Sequence, residues 1–273
     1  MSRLLQVGVA DRSGDDFLAS QRIVWASLPL SLGVAASEPA QLVAVDGRQR
    51  DWLTVATETA SSGVLGILVV HPRPGPAAAA VHELAARARD NGLPVVVETV
   101  WAAHPAVAQL ADSTRARLDD VALADSVAIV AKDDPRSPAS VLLDQLALLR
   151  AVLGPIDEVT FSASGASGHT VNARRGASAV ALSAVRTSVS PAGARLAIYT
   201  ASGEAHLVVP EGGTAAPARA SVVDDQGESV LPSWYESASR ASWRRLVEAV
   251  TSQQALADLD FLADDLDRIA SLT

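Results

Sequence analysis

The hydrophobic positions along this chain change their rhythm near its middle. Up to about residue 100, short and nearly continuous apolar runs alternate with stretches of helical spacing. The runs Leu4–Ala10, Leu30–Ala35, Gln41–Val45, Gly66–His71 and Pro94–Glu98 predict strands covered on both faces, as in a parallel sheet. Between them Asp15–Trp25, Asp51–Ala60 and Pro76–Asn91 predict helices. The last is the clearest, with Val81, Leu84, Ala85 and Ala88 on one face and Asn91-Gly92 as a left-handed stop. The link Ser37-Glu38-Pro39-Ala40 between the second and third strands is too short for a crossover helix, which conflicts with a regular doubly wound sheet.

Beyond residue 100 the spacing predicts helix over Pro105–Arg117, strand over Ser126–Ala131 and a long helix over Ser140–Leu153 closed by Gly154-Pro155. The segments Glu158–Ala163, Val180–Ser188, Ala194–Thr200 and Glu204–Val209 alternate and read as a largely antiparallel sheet. Ser162–His169 reads as a flexible loop, Gly212–Ala220 as a small-residue loop, and Trp234–Thr251 and Gln254–Ala270 as closing helices. The expected fold is α/β: a Rossmann-like parallel-sheet domain over 1–110, of nucleotide-binding type. An α+β domain over 111–273 follows, with a large, mostly antiparallel open sheet of substrate or oligomerisation type, the last helices packing back.

Composition narrows the function. With 273 residues, 49% of them hydrophobic, the chain can bury substantial cores. A net charge of −9 opposes a nucleic-acid or anionic-membrane partner. The absence of cysteine excludes disulfides, thiolate catalysis and thiolate metal sites. Apolar runs such as Val64–Val70 fall far short of the roughly 20 residues that span a bilayer. The start of the chain lacks the pattern of a signal peptide, so the cytoplasm is the expected compartment.

Three stretches, in this order, resemble the glucose-fructose oxidoreductase, inositol dehydrogenase and MocA (Gfo/Idh/MocA) family. Gly66-Ile67-Leu68-Val69-Val70-His71-Pro72 is similar to that family's strand ending in Thr-Pro. Gly92-Leu93-Pro94-Val95-Val96-Val97-Glu98-Thr99-Val100 is similar to its glycine, strand and Glu-Lys-Pro. Gly154-Pro155-Ile156-Asp157-Glu158-Val159 is similar to its Gly-x-Ile-Gly-x-Val. The resemblance implies a Rossmann domain joined to an open-sheet domain, NAD(P)-dependent oxidation or reduction of a sugar, polyol or related carbonyl compound, and oligomers formed through the C-terminal sheet.

The chain also departs from that pattern. Where the resemblance implies Gly-x-Gly-x-x-Gly after the first strand, this chain has Asp11-Arg12-Ser13-Gly14-Asp15-Asp16, whose carboxylates oppose a diphosphate. The same acids also read as simple charge on the first turn of a helix. Thr99 stands where the family's lysine would touch nicotinamide and substrate, and Val100 where its proline would be. The family's Asp and His, one helical turn apart after a glycine cluster, would fall in Gly176–Thr187, which holds no acid at 180–184 and no histidine at 184–188.

The catalytic candidates are therefore Glu98, His71 and Lys132, and the cofactor-binding candidates Gly8, His71, Pro72, Glu98 and Thr99. His71 is the best placed, since α/β sheets bind ligands at the C-terminal ends of their strands. Glu98 also reads as a strand-end carboxylate bonded to a neighbouring loop. Lys132, in Lys132-Asp133-Asp134-Pro135-Arg136, is either a cation for a hydroxylated or anionic ligand or part of a solvated turn. His82 reads as a surface helix residue, His104 as a helix start, and Arg174, Arg175 and Arg186 either as holders of an anion or as surface ion-pair partners. Trp234, Tyr235 and Trp243 read as pins for the last helices. No spacing suits a metal site.

The expectation drawn from these residues is an oxidoreductase-fold protein that has lost standard dinucleotide binding and catalysis. It would act as a non-catalytic subunit, a ligand-binding module for a small hydroxylated compound, or an assembly partner in a homo- or hetero-oligomer. The alternatives are an active NAD(P)-dependent dehydrogenase or reductase, and a lyase or isomerase using His71 or Glu98 as its base.

Overall fold

The computed structural model describes residues 5–10, 12–28, 32–35, 39–212 and 216–272. Leu4, Asp11, Leu30, Ser37 and Glu38, and residues 213–215 of the small-residue loop, lie outside them. The chain forms two compact units. One contains the residues up to Thr99 together with Ser239–Asp267, and the other contains Val100–Ala238 and Arg268–Thr273. The sequence reading drew its division at 110/111.

The first unit is a five-stranded parallel sheet built from β1 (Leu5–Val9), β2 (Leu32–Val34), β3 (Leu42–Asp46), β4 (Gly66–Val70) and β5 (Val95–Glu98), in the order β2-β1-β3-β4-β5. Every residue of β3 and β4 is buried, which is why these strands read as unbroken apolar runs. The helices α1 (Asp15–Ser27), α2 (Trp52–Ala60) and α3 (Ala78–Asp90) follow β1, β3 and β4. The short link between β2 and β3 does not interrupt the parallel sheet. Val34 and Leu42 both stand opposite Val7, on its two sides. Gly8 lets Ala40 lie this close to β1, because a Cβ at position 8 would lie 2.8 Å from that of Ala40.

Two further helices, α6 (Ala238–Ser252) and α7 (Asp258–Ala270), complete this unit as far as Asp267. Trp243 and Leu246 of α6 enter the core formed by Val7, Phe17, Trp25, Leu42 and Leu68. Trp243 meets Trp25 edge-on at 5.5 Å, and its indole N–H donates to Gln21 Oε1 at 2.9 Å. Trp243 thus pins its helix, as its sequence context suggested. Asp258 accepts the Val97 N–H at 3.0 Å and pairs with Arg245, which caps a donor on the edge strand β5.

The second unit opens with α4 (Pro105–Thr114) and a 3₁₀ turn over Arg115–Asp120, followed by β6 (Val121–Ala131) and α5 (Pro138–Leu153). Its remaining strands are β7 (Glu158–Gly165), β8 (Gly168–Arg175), β9 (Ser178–Thr187), β10 (Gly193–Thr200), β11 (Gly203–Pro210), β12 (Arg219–Asp224) and β13 (Gly227–Val230). The eight strands β6–β13 form one sheet in the order β13-β12-β11-β10-β6-β9-β8-β7. All neighbours are antiparallel except β6 and β9. Ser137 caps α5 by accepting the Ser140 N–H, and Gly154, at φ 87°, ends it. With α4 and α5 on one face, the other carries Leu123, Val185, Tyr199 and Val208 exposed.

The structure departs from the sequence pattern in three places. Ser162–His169 is no flexible loop but the β7–β8 hairpin, with His169 buried on β8. The small-residue loop gives way to β12 at Arg219, and β12 and β13 had no predicted counterpart. The segment 178–187 is a strand, so it cannot carry two side chains one helical turn apart.

Candidate functional site

The residues that distinguish the first unit chemically gather where its strands end. Three backbone bonds stitch the turns after β3, β4 and β5 together. Gly47 N–H donates to Val70 O at 2.8 Å, Arg73 N–H to Gly47 O at 2.9 Å, and His71 N–H to Glu98 O at 2.8 Å. Only glycine fits at 47, since a Cβ would lie 2.6 Å from the Pro72 backbone. Trp52 adds a bond from its indole N–H to Arg73 O at 3.2 Å.

This framework holds His71 in the left-handed region at φ 50°. For a residue with a Cβ that conformation costs of order 1 kcal/mol, and such strain gathers at functional positions. His71 Nε2 stands 3.3 Å from Glu98 Oε1, with the imidazole 35% exposed and the carboxylate side chain fully buried. Ser239 Oγ donates to the same Oε1 at 2.6 Å. Glu98 Oε2 and the hydroxyl of the buried Thr99 have no hydrogen-bond partner among the described residues. A buried polar atom left in that state costs about 1–3 kcal/mol. The structure therefore brings His71, Pro72, Glu98 and Thr99 to one strand edge, while Gly8 lies within β1 against Ala40. Ser239 was missed because it lies far away in sequence, on a helix whose apolar face gives no hint of its polar partner.

The start of α1 lies at the same edge of the sheet. Its N-cap, Gly14, supplies no side-chain hydrogen bond, and its first turn carries Asp15 and Asp16, both exposed. Beside it Arg48 is engaged by Asp46, with Nε to Oδ1 at 2.7 Å and Nη2 to Oδ2 at 3.0 Å, and its guanidinium lies 5.6 Å over the Phe17 ring. Burial opposes ionisation of Asp46, but the hydrogen bonds and charge of Arg48 outweigh it and hold that carboxyl below the usual range. The hydrogen bond to Asp46 raises Arg48 in turn, burial opposes this, and the charges of Asp46 and Asp16 reinforce it. Arg48 is thus already matched to protein carboxylates, as is Arg12, which precedes the helix and pairs with Asp51 and Glu58.

In the second unit, Lys132 sits exposed on the turn after β6 and the organising cation is Arg136. Its guanidinium contacts Asp134 at 2.6 Å, Asp144 at 3.2 Å and Glu211 at 2.5 Å, and lies 5.7 Å over the Trp101 ring. Asp144, on α5, also accepts the Val100 N–H at 3.2 Å. Arg186 donates to the carbonyls of Asp134 and Arg136 and so fixes the turn. Burial opposes the charge on Arg136, yet the three carboxylates hold its proton more firmly than usual. The five-residue motif is visible in the sequence, but nothing local to it distinguishes the engaged arginine from the exposed lysine.

The other histidines have local duties. His169 Nε2 meets Gln145 Oε1 at 2.8 Å, while Gln145 Nε2 bonds to Ser126 and to the Ser183 carbonyl. His104 caps α4 by accepting the Ala106 N–H at Nδ1, 3.2 Å away. Burial pushes each of these two down to about 4. His82 faces Asp260 and Asp264 at 3.5 and 3.7 Å, and His206 faces Glu204 at 3.3 Å. Trp234 donates to Gln109 at 2.8 Å. Among the described residues no group of three or more His, Asp or Glu side chains is arranged to hold a metal, and no helix is long and apolar enough to cross a membrane.

No protein-family description matches the chain, and none of the curated proteins matches it in sequence. Solved structures do match it in fold. An oxidoreductase from Agrobacterium radiobacter, in complex with NAD+, L-tartaric acid and magnesium, is similar with a TM-score of 0.75 at 9% identity, covering 99% of this chain and 95% of that one. An NAD binding oxidoreductase from Klebsiella pneumoniae gives 0.71 at 12% identity, with 99% and 96% covered. KijD10, a 3-ketoreductase from Actinomadura kijaniata in complex with NADP, gives 0.69 at 14% identity, with 99% and 97% covered. At these identities the likeness is one of fold, and it extends over both units.

Proposed function

We propose that this chain keeps the architecture of the NAD(P)-dependent oxidoreductases without their ordinary grip on the dinucleotide, and works as a ligand-binding or non-catalytic partner protein. The start of α1 carries this reading. A diphosphate is held there by exposed backbone N–H groups and the helix dipole. Here that end presents Asp15 and Asp16, and the neighbouring Arg48 is already paired with Asp46. Two like charges about 4 Å apart cost on the order of 4 kcal/mol at an effective dielectric of about 20. That equals nearly three decades of affinity. Calorimetric titration of the full chain with NADH and NADPH tests it, the expected outcome being no saturable heat in the micromolar range.

The second reading, an active NAD(P)-dependent reductase of a sugar, polyol or related carbonyl compound, draws on His71. A basic residue followed by proline closes β4, in strained conformation beside a buried carboxylate, at the strand end where the resembling family has Thr-Pro, and it supplies a basic group next to the strand end where Thr99 replaces the family's lysine. The structural neighbours that hold NAD+ or NADP favour it too. Oxidation of NADPH by the pure protein with carbonyl compounds, lost in His71→Gln, would establish this reading over the first.

The proposal extends to self-association. The sheet face bearing Leu123, Tyr199 and Val208 is apolar enough to be covered by a partner. Light scattering is expected to find a dimer or larger assembly that Tyr199→Glu with Val208→Glu weakens.

A further inference from the structure

We propose that His71, Glu98 and Ser239 form an acid–base site that moves a proton on small, uncharged α-hydroxy carbonyl compounds without any nicotinamide. The inference deepens the ligand-binding reading, takes the place of its non-catalytic form, and does not depend on the loss of dinucleotide grip. All three residues belong to the first unit and stand where its parallel strands end.

The division of labour follows from the distances. Ser239 Oγ, 2.6 Å from Glu98 Oε1, fixes the carboxylate, and that oxygen stands 3.3 Å from His71 Nε2. A carboxylate at Nε2 favours the tautomer with its proton there, which leaves Nδ1 as the base. The left-handed backbone of His71 and its N–H bond to Glu98 O keep the ring beside its partner. Glu98 Oε2 and Thr99 Oγ1, both buried and without a partner among the described residues, mark the same strand end as one where polar groups serve something other than packing.

The substrate class follows from what these groups are able to do. Imidazole and carboxylate accept protons but neither a hydride nor an electron pair from carbon. The substrate must therefore carry its own electron sink, a carbonyl, beside the C–H bond that breaks. Nδ1 takes that proton, the C–H electron pair becomes the C=C bond of an enediolate, and the carbonyl oxygen takes the negative charge. As the proton of the adjacent hydroxyl passes to the former carbonyl oxygen, the enediolate collapses to a new carbonyl at the hydroxyl-bearing carbon and Nδ1 returns its proton to the former carbonyl carbon, so the net change is an isomerisation. Asp15 and Asp16, exposed at the same sheet edge, disfavour a phosphorylated compound.

The test is deuterium wash-in at the α-carbon of glycolaldehyde, dihydroxyacetone and glyceraldehyde, followed by proton NMR with the full chain in D2O, with and without NADPH. Exchange with at least one of them is expected about a hundredfold or more above buffer and unchanged by NADPH. His71→Gln should bring it to the buffer rate, and Ser239→Ala should lower it about tenfold with a shifted pH profile, while Ser239→Thr restores it. Nitrogen-15 NMR of the wild-type imidazole should place its proton on Nε2 regardless of how the variants fold. Absence of exchange with all three compounds, exchange surviving in His71→Gln, a proton resident on Nδ1, or exchange that needs NADPH would each overturn the proposal. Tight NADPH binding beside NADPH-independent exchange would overturn only the reading of the α1 start.

Discussion

Replacing Arg136 by alanine removes a guanidinium that reaches Asp134, Asp144 and Glu211 together. Arg186 bonds to the backbone of this turn, so the carboxylates are left close together and largely enclosed. Breaking a buried pair by deleting one partner costs about 3–5 kcal/mol, and the lost stacking on Trp101 adds about 0.5–1 kcal/mol. A loss of about 4 kcal/mol is expected, equivalent to a Tm lower by about 10 °C for a unit of this size. The pH dependence supplies the sharper check. In the wild type Asp134 is buried, which opposes its ionisation, but the hydrogen bonds and charge of Arg136 hold its pKa below the usual value. Its contribution is thus present above the unfolded pKa and lost as pH falls through the folded one. In Arg136→Ala, mutual repulsion raises the folded carboxyl pKa values, so the variant recovers as these groups take up protons below about pH 5. Urea unfolding followed by tryptophan fluorescence at pH 7 and pH 4.5 measures both effects. A loss under about 1 kcal/mol, or a gap between the two proteins that widens toward pH 4.5, would refute this account of the cluster.

Three further outcomes are expected. His104 and His169 are pushed down to about 4 by burial, so their contribution is complete above the unfolded value of about 6.5 and is lost as pH falls toward 4. The loss is up to about 3 kcal/mol for each, and His104→Asn, which keeps the cap, should remove its share of the acid sensitivity in pH-dependent melting. Gly8→Val should destabilise the first unit by about 1–3 kcal/mol through collision with Ala40, with part of the loss returned by Ala40→Gly in a double-mutant cycle. Trp243→Ala should cost about 3–5 kcal/mol in urea unfolding, because it empties the core place beside Trp25 and strands Gln21.

Much of the fold was legible because burial on both faces of a parallel strand leaves a simple mark. β3, β4 and β5 announce themselves as apolar runs, and α3 by its spacing. β8 was hidden because its inward side chains, His169, Val171 and Ala173, alternate with Thr170, Asn172 and Arg174 in a Gly- and Ser-rich neighbourhood that also fits a loop. β12 was hidden by its small residues beside a Gly-Ala stretch. The site was half legible. The strand-end rule pointed to His71 and Glu98, but strain at His71 and its contact with Glu98 follow from two turns brought together by the sheet. Ser239 and the partners of Arg136 come from remote parts of the chain, and neither periodicity nor local spacing records which remote residues will meet.

The central claim, an oxidoreductase architecture without the usual dinucleotide grip, is met most directly by energy transfer from the chain's 5 tryptophans to the nicotinamide ring as NADH and NADPH are titrated. The acids at the start of α1 and the pairing of Arg48 with Asp46 predict no saturable signal until about millimolar concentration, some three decades weaker than a micromolar cofactor site. A saturable signal with a Kd of about 1–100 μM would contradict it.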